Sequence, residues 1–316
     1  MVKSVLIRLG YVAITNALDV TSSSAFTYTE FSKNKDYNKL DKIIKSNLED
    51  LIKILQYNVK NNIHFYRLTS KLIPLATHKQ VNFNYIDKYK VYYDQISKII
   101  NDNNIRIDVH PDQFCVLNST NKEVIESSIE ILKYHFNILE ALKIKNKIII
   151  LHVGSSVLGK NNSIKRFINT FNKLPNYLKE CIALENDDKI YNAEDVLYIC
   201  NKLNIPFVFD YHHHKCNPCN NIEDIMKDII NTWKSINPKM HISSPKNKTK
   251  KEFRTHNDYI DYNDFNELIN LIKLYNKDID IMIEAKMKDD SLFRLMRRIK
   301  YEKDYKFLDE TSFYVL

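Results

Sequence analysis

Three histidines stand side by side in FVFDYHHHKC (207–216), directly behind Asp210, in a chain that has only ten histidines in 316 residues. The same residue types recur where other short apolar runs end. His110 follows IRIDV, His152 lies in KIIILHV, Glu185 in CIALEN, His241 in KMHIS and Glu284 in IDIMIEA, with His256 in the segment after His241. Taken singly, each has an ordinary reading as a hydrogen-bonded structural histidine or a carboxylate accepting loop amides. That reading would have to hold independently at every one of these positions, all at the same end of their runs. Histidines 64, 78 and 135 fall within a run, in a loop and inside a helical stretch, and read as structural. Imidazoles mixed with carboxylates, and no thiolate at a run's end, suit Mn, Zn or Fe rather than Mg or Cu(I). The ligands outnumber what one tetrahedral ion accepts, so two or three ions sharing carboxylates are expected. Three such ions carry more positive charge than Glu185, Asp210 and Glu284 offset, which favours an anionic substrate such as a phosphodiester.

Eight runs of strand length must position these groups: residues 4–10, 62–68, 105–110, 147–153, 181–186, 206–211, 239–243 and 279–285. They are nearly continuous in apolar character, as strands buried on both faces of a parallel sheet are. Helical stripes lie between them near 39–59, 85–103, 121–143, 163–179, 193–203, 222–235, 264–275 and 290–302. Ser163 and Asn192 read as helix caps. Irregular stretches occupy 12–38, 69–84 and 243–262, and no linker or repeat divides the series. Eight β-then-α units predict a single (β/α)8 TIM barrel over residues 1–316, whose active groups gather at the carboxyl ends of the strands.

Composition narrows the class. Apolar residues make up 44% and charged residues 27%, as in an ordinary globular protein. Only three glycines occur, which gives Gly10 at the end of the first strand more weight. No stretch is long and apolar enough for a membrane span or a secretory signal, and five cysteines are an odd number, so an intracellular protein with reduced thiols is expected. Cys216 and Cys219 form one CxxC, which without a second pair reads as a pair of loop cysteines. Net charge is +8, with six Lys or Arg residues between Lys239 and Arg254, a pattern suited to nucleic acid or to a solvated loop.

The stretches IRLGY (7–11), HPDQF (110–114), LHVGS (151–155), ALEND (183–187), DYHHH (210–214), KMHISS (239–244), THND (255–258) and IEAKMKD (283–289) together resemble the UV damage endonucleases, a family of xylose-isomerase-like TIM barrels related to endonuclease IV. They run in the family's order over nearly the whole chain. The resemblance implies a monomeric DNA repair enzyme that nicks damaged duplex DNA immediately 5′ to a lesion, leaving a 3′-hydroxyl and a 5′-phosphate. It implies one ion on His110, His152 and Glu185, a second on Glu185, Asp210, His241 and Glu284, and a third on His213 and His256, with Mn²⁺ the expected metal. Alternation along a strand would turn His212 toward the side of Asp210, whereas the family's D-x-x-H spacing selects His213, leaving His212 and His214 to pack or to orient ligands. Lys239 falls where some members carry a carboxylated lysine, and an ordinary strand lysine is the plain alternative. Glu185, Lys239 and Glu284 are the implied catalytic residues. Gln113 and Phe114 would enter the duplex at the lesion, and Tyr11 and Asn16 would line its pocket.

Competing readings are an endonuclease IV-like abasic-site nuclease, a sugar isomerase or epimerase on the same barrel, and a binding-only barrel. The full histidine set and the basic stretch count against the isomerase, and the intact ligand set counts against a nucleic-acid-binding barrel without catalysis. A metal-dependent amidohydrolase would show His-x-His on the first strand, where this chain has RLGY.

Overall fold

The computed structural model describes residues 4–249 and 252–316. Lys250 and Lys251 of the basic stretch lie outside the described residues. Each expected run contains a strand: β1 (Val5–Val12), β2 (Phe65–Leu68), β3 (Arg106–Val109), β4 (Ile149–His152), β5 (Ile182–Glu185), β6 (Phe207–Asp210), β7 (Lys239–Ile242) and β8 (Ile279–Ile283). Their order in the sheet follows the chain, β8 pairs parallel with β1, and β1 pairs parallel with β2, which closes the barrel. A TIM barrel is therefore the fold. Branched and aromatic side chains dominate these short strands, and every residue of β2, β5, β6, β7 and β8 is buried.

Gly10 has a steric cause. A Cβ there would lie 2.3 Å from the Phe65 carbonyl oxygen, so β2 can close against β1 only at a glycine. On the other flank of β1, a C-terminal hairpin that the pattern did not suggest adds β9 (Tyr305–Phe307) and β10 (Ser312–Val315). β10 runs antiparallel to the first half of β1.

The helices follow their apolar stripes. Helix Tyr37–Lys60 buries Leu40, Ile44, Leu48, Leu51, Ile54 and Leu55, each contributing about 1.5–3 kcal/mol on full burial. The stretch expected as one helix over 163–179 is two, Lys160–Asn172 and Asn176–Lys179, because Pro175 lacks the amide needed to continue the first. Ser163 is not a cap: Gly159 holds that position, and Ser163 Oγ turns back to the Val157 carbonyl at 3.0 Å. Asn192 does cap its helix, with Asp195 completing a capping box. Among the described residues no helix is long and apolar enough to cross a membrane.

Candidate metal centre at the carboxyl rim

Register carries the site. His152 on β4 lies beside Glu185 on β5, and Asp210 on β6 beside His241 on β7. Glu284 directly follows β8, and His110 directly follows β3. Two groups result whose ligand atoms lie within 4.8 Å of one another: His110, His152 and Glu185, and Glu185, Asp210, His241 and Glu284. Glu185 belongs to both. Its Oε2 is 2.9 Å from His110 Nε2 and 3.9 Å from His152 Nε2, while its Oε1 is 3.0 Å from His241 Nδ1 and 3.3 Å from His213 Nδ1.

The histidine triplet departs from strand geometry. Asp210 caps a short helix, Tyr211–Cys216, by accepting from the His213 amide at 2.7 Å. A helical turn returns residue i+3, so His213 faces the cluster and His212 does not. His212 is buried against Phe253 and His256, and His214 tilts onto the Phe209 ring. His213 and His256 face each other with ring centroids 6.3 Å apart, beside the two groups rather than within either.

The second contacts of these rings fix their chemistry. His110 Nδ1 lies 2.9 Å from the Pro111 carbonyl, His213 Nδ1 2.9 Å from that of Asn186, and His256 Nδ1 2.8 Å from that of Glu284. A carbonyl only accepts, so each Nδ1 carries a hydrogen, which leaves the Nε2 of His213 and of His256 as the atom that can take an ion. Asn186, fully buried, holds β6 in place by exchanging two hydrogen bonds with the Asp210 backbone, at 2.8 and 2.9 Å. Asp210 Oδ2 and His152 Nδ1 are buried without a hydrogen-bond partner, and buried polar atoms in folded proteins rarely stay unmatched. This donor set fits divalent ions that take nitrogen and oxygen together.

Charge is unevenly held across the cluster. Burial resists ionisation of Glu185, but His241, His152 and the hydrogen bonds from His110 and His213 outweigh it and hold the carboxyl well below its ordinary range. Burial, with Glu185 and Glu284 nearby, pushes Asp210 up to about 6. Burial brings the His241 imidazole down to about 4.

The structure also brings in a residue that reading the strand ends passed over. Arg67 on β2 is buried, with Nη2 2.6 Å from Glu284 Oε1 and 2.7 Å from His241 Nε2. A charged residue inside an otherwise apolar strand is the signal that marks Arg67; Asp108, its lateral neighbour on β3, shares its strand with Arg106.

The remaining expected residues are more dispersed. Lys239 is fully buried, and its Nζ bonds Asp108 Oδ2 at 2.5 Å with the Phe65 ring 5.0 Å away; burial brings its ammonium down to about 7. Being buried, it cannot belong to the basic surface expected over 239–254. In the same stretch Lys246 pairs with Glu252 and Arg254 with Asp188. Tyr11 is buried, with its hydroxyl on Asn58 at 2.8 Å, and offers no surface to a base here, contrary to the pocket role expected of it. Asn16 is exposed on the rim, its side chain reaching the Met287 carbonyl at 3.2 Å. Gln113 and Phe114 project from the loop after His110, with Phe114 69% exposed. His64, His78 and His135 lie elsewhere: His64 pairs with Asp309, His78 stacks on Tyr28, and His135 is buried in helix Lys122–Ala141. Cys216 and Cys219 are free thiols, and neither enters the two ligand groups.

The family model for UV-endonuclease UvdE matches residues 7–311. The chain belongs to that family. It is 42% identical over 299 residues to the UV DNA damage endonuclease of Bacillus cereus strain B4264, covering 92% of this chain and 94% of that one. Among solved structures, SacUVDE superposes with a TM-score of 0.84 at 34% identity, covering 93% of this chain and 98% of that one. Endonuclease IV from Thermus thermophilus superposes with a TM-score of 0.59 at 9% identity over 93% of this chain and 99% of that one, which is a likeness of fold. The protein is thus a DNA repair endonuclease, and DNA is its substrate.

Proposed function

We propose that the protein cuts the damaged strand of duplex DNA immediately 5′ to UV photolesions, and at abasic sites, leaving a 3′-hydroxyl and a 5′-phosphate. The observation that carries this reading is Glu185, shared by two ligand groups on the rim from which Gln113 and Phe114 project. His110, His152 and Glu185 would hold one divalent ion, and Glu185, Asp210, His241 and Glu284 a second. His213 and His256 would hold a third, with Mn²⁺ the metal expected from the family among those that mixed imidazole and carboxylate ligands suit. Ions bound there would bring the pKa of a water toward ~7 and offset charge on the phosphodiester.

The chain's own residues supply the geometry. Glu185 fixes the spacing of the two ligand groups, and Arg67 orients Glu284 and His241 from below. Phe114 replaces stacking lost when the lesion leaves the helix, worth ~1–3 kcal/mol per base, while the Gln113 amide pairs with the exposed base edges. Asn16 lines the opposite wall, with Tyr11 behind it in the core. Lys239 acts beneath the cluster. Carboxylation would end its ion pair with Asp108 and leave Asp108 to Arg67, whose Nε is 3.7 Å away. The whole chain acts as one catalytic domain, as a monomer.

The test is nicking of a 5′-labelled duplex carrying one cyclobutane dimer, with Mn²⁺ or with EDTA, beside undamaged and abasic duplexes. A Mn²⁺-dependent cut just 5′ to the dimer, absent from undamaged DNA, is expected. Cutting only the abasic duplex would reassign the substrate, and no cutting with any divalent metal would overturn the reading.

A further inference from the structure

The loop after β4 carries a feature that the ligand set does not use. Val157 is 52% exposed and Leu158 71% exposed, side by side on the rim that holds the metal-competent groups. Isolated exposed apolar residues are common, but this pair is mounted with care. Leu158 has φ +65°, a left-handed backbone that bulky residues rarely adopt. Lys35 and Asn204 take that region closing helices, where it is the usual geometry; Leu158, like Leu75 in the loop after β2, takes it without closing a helix.

The surrounding bonds hold the pair outward. Ser163 Oγ and Arg166 Nη2 both donate to the Val157 carbonyl, and Asn162 donates to that of Leu158 at 2.9 Å. The loop is also locked to the one that bears Phe114. Asn118 Nδ2 donates to the Ser155 carbonyl at 2.7 Å, the Ser155 amide donates back to Asn118 Oδ1 at 2.8 Å, and Arg166 Nε donates to the Asn118 carbonyl at 3.0 Å. Gly154 permits this contact: a Cβ there would lie 2.9 Å from both Asn118 Oδ1 and Val116 Cγ1. Phe114 and the Val157–Leu158 tip are therefore two apolar projections on one braced unit.

Chain length places both near the chemistry. Phe114 is four residues past His110, and Leu158 six past His152, a span of at most about 20 Å of extended chain. DNA lying on this rim with a phosphate at the ligand groups comes within reach of both. Apolar side chains that enter a groove and wedge base steps apart bend DNA and expose it to the protein. We infer that Val157 and Leu158 form a second wedge that presses into the duplex at a step distinct from the one Phe114 enters, holding the DNA bent across the metal centre. The inference rests on the proposed function, since it needs lesion-bearing duplex seated on this rim.

The test uses the metal-loaded, full-length protein and dimer-bearing duplexes with 2-aminopurine placed in turn at each position within six base pairs of the lesion. Wild type is expected to brighten the probe at the lesion and at a second, separate step. Leu158→Ser should abolish the second signal, keep the first, and raise KM for nicking at least tenfold, with a smaller change in kcat. Leu158→Gly, which tolerates the left-handed backbone, should melt no lower than wild type and yet show the same loss. An unchanged probe pattern with KM within twofold, in Leu158→Gly and in the double Val157→Ser/Leu158→Ser variant, would overturn the wedge. Wild type failing to nick the dimer duplex would instead overturn the photolesion reading on which it stands.

Discussion

The two ends of the barrel use the same kinds of residue to opposite effect. At the amino end, Asp280 accepts from Arg8 at 2.6 and 2.7 Å and from Arg106 at 2.7 Å, and Arg106 also donates to the Asn237 carbonyl. The Arg106 guanidinium carbon lies 5.3 and 5.2 Å from the centroids of the Phe65 and Trp233 rings, whose cation–π attraction stands in for a hydrogen bond to the buried Nη2. At the carboxyl end, Asp210 Oδ2 and His152 Nδ1 have no partner, and Glu185 serves four imidazoles at once. The closed network is built to hold the barrel together. The open one is incomplete as protein alone, and its unmet bonding capacity is the property a metal site needs.

Removing a charge should therefore cost activity at one end and stability at the other. Glu185→Gln is expected to lower nicking roughly 10³-fold or more, the equivalent of about 4 kcal/mol in the barrier, while binding of damaged duplex persists. Gel-based rates beside an anisotropy titration measure both, and wild-type rates in the variant would undo the contrast. Arg67→Met joins the two behaviours, because it strips Glu284 and Asp108 of a buried counter-charge. Metal-free protein should lose about 3–5 kcal/mol in denaturant unfolding, and added Mn²⁺ should restore more of that loss than it adds to wild type. An equal Mn²⁺ effect on both proteins would show that Arg67 acts apart from the ligands.

Asp280→Ala tests the closed end. It leaves Arg8 and Arg106 facing one another, at a cost of about 2–3 kcal/mol given that Arg8 is partly exposed, with nicking far below the melting temperature within twofold of wild type. A large rate loss in the folded variant would mean that the two ends are coupled.

The smallest effect concerns His135, which burial brings down to about 3. The folded state refuses a proton that the unfolded chain takes up near 6.5, so stability is full above that pH and falls as pH drops from 6.5 toward 3. By pH 5 the loss from this group is about 2 kcal/mol. His135→Leu should be flatter than wild type between pH 7 and pH 5 in urea unfolding, and parallel curves would contradict the assignment.

How much of this could be read from sequence follows from what each feature depends on. Strand ends are local, and hydrophobic runs that stop at His110, His152, Glu185, Asp210 and Glu284 announce both the barrel and the rim. The turn of the triplet into a helix depends on Asp210 capping it, so alternation alone favours His212, and only the D-x-x-H spacing points to His213. Arg67, Asp108 and Lys239 were harder because their partners sit on other strands: the register that pairs β2 with β3 is invisible in any one segment. For Arg67 the signal is still present, as a lone charge within FYRL. The C-terminal hairpin gave less warning, since β9 and β10 are three and four residues long and take their stability from β1. The Tyr11 expectation followed the motif and missed the packing of Asn58 from the neighbouring helix, which claims the hydroxyl.

The central claim is that Glu185 is shared between two ion sites. Equilibrium dialysis of wild type and Glu185→Gln against limiting Mn²⁺ addresses it without reference to DNA. The account predicts that the variant loses tight binding at two sites, so that a wild type holding three Mn²⁺ ions falls to one. A variant that binds as many ions as wild type, with the same affinities, would contradict it.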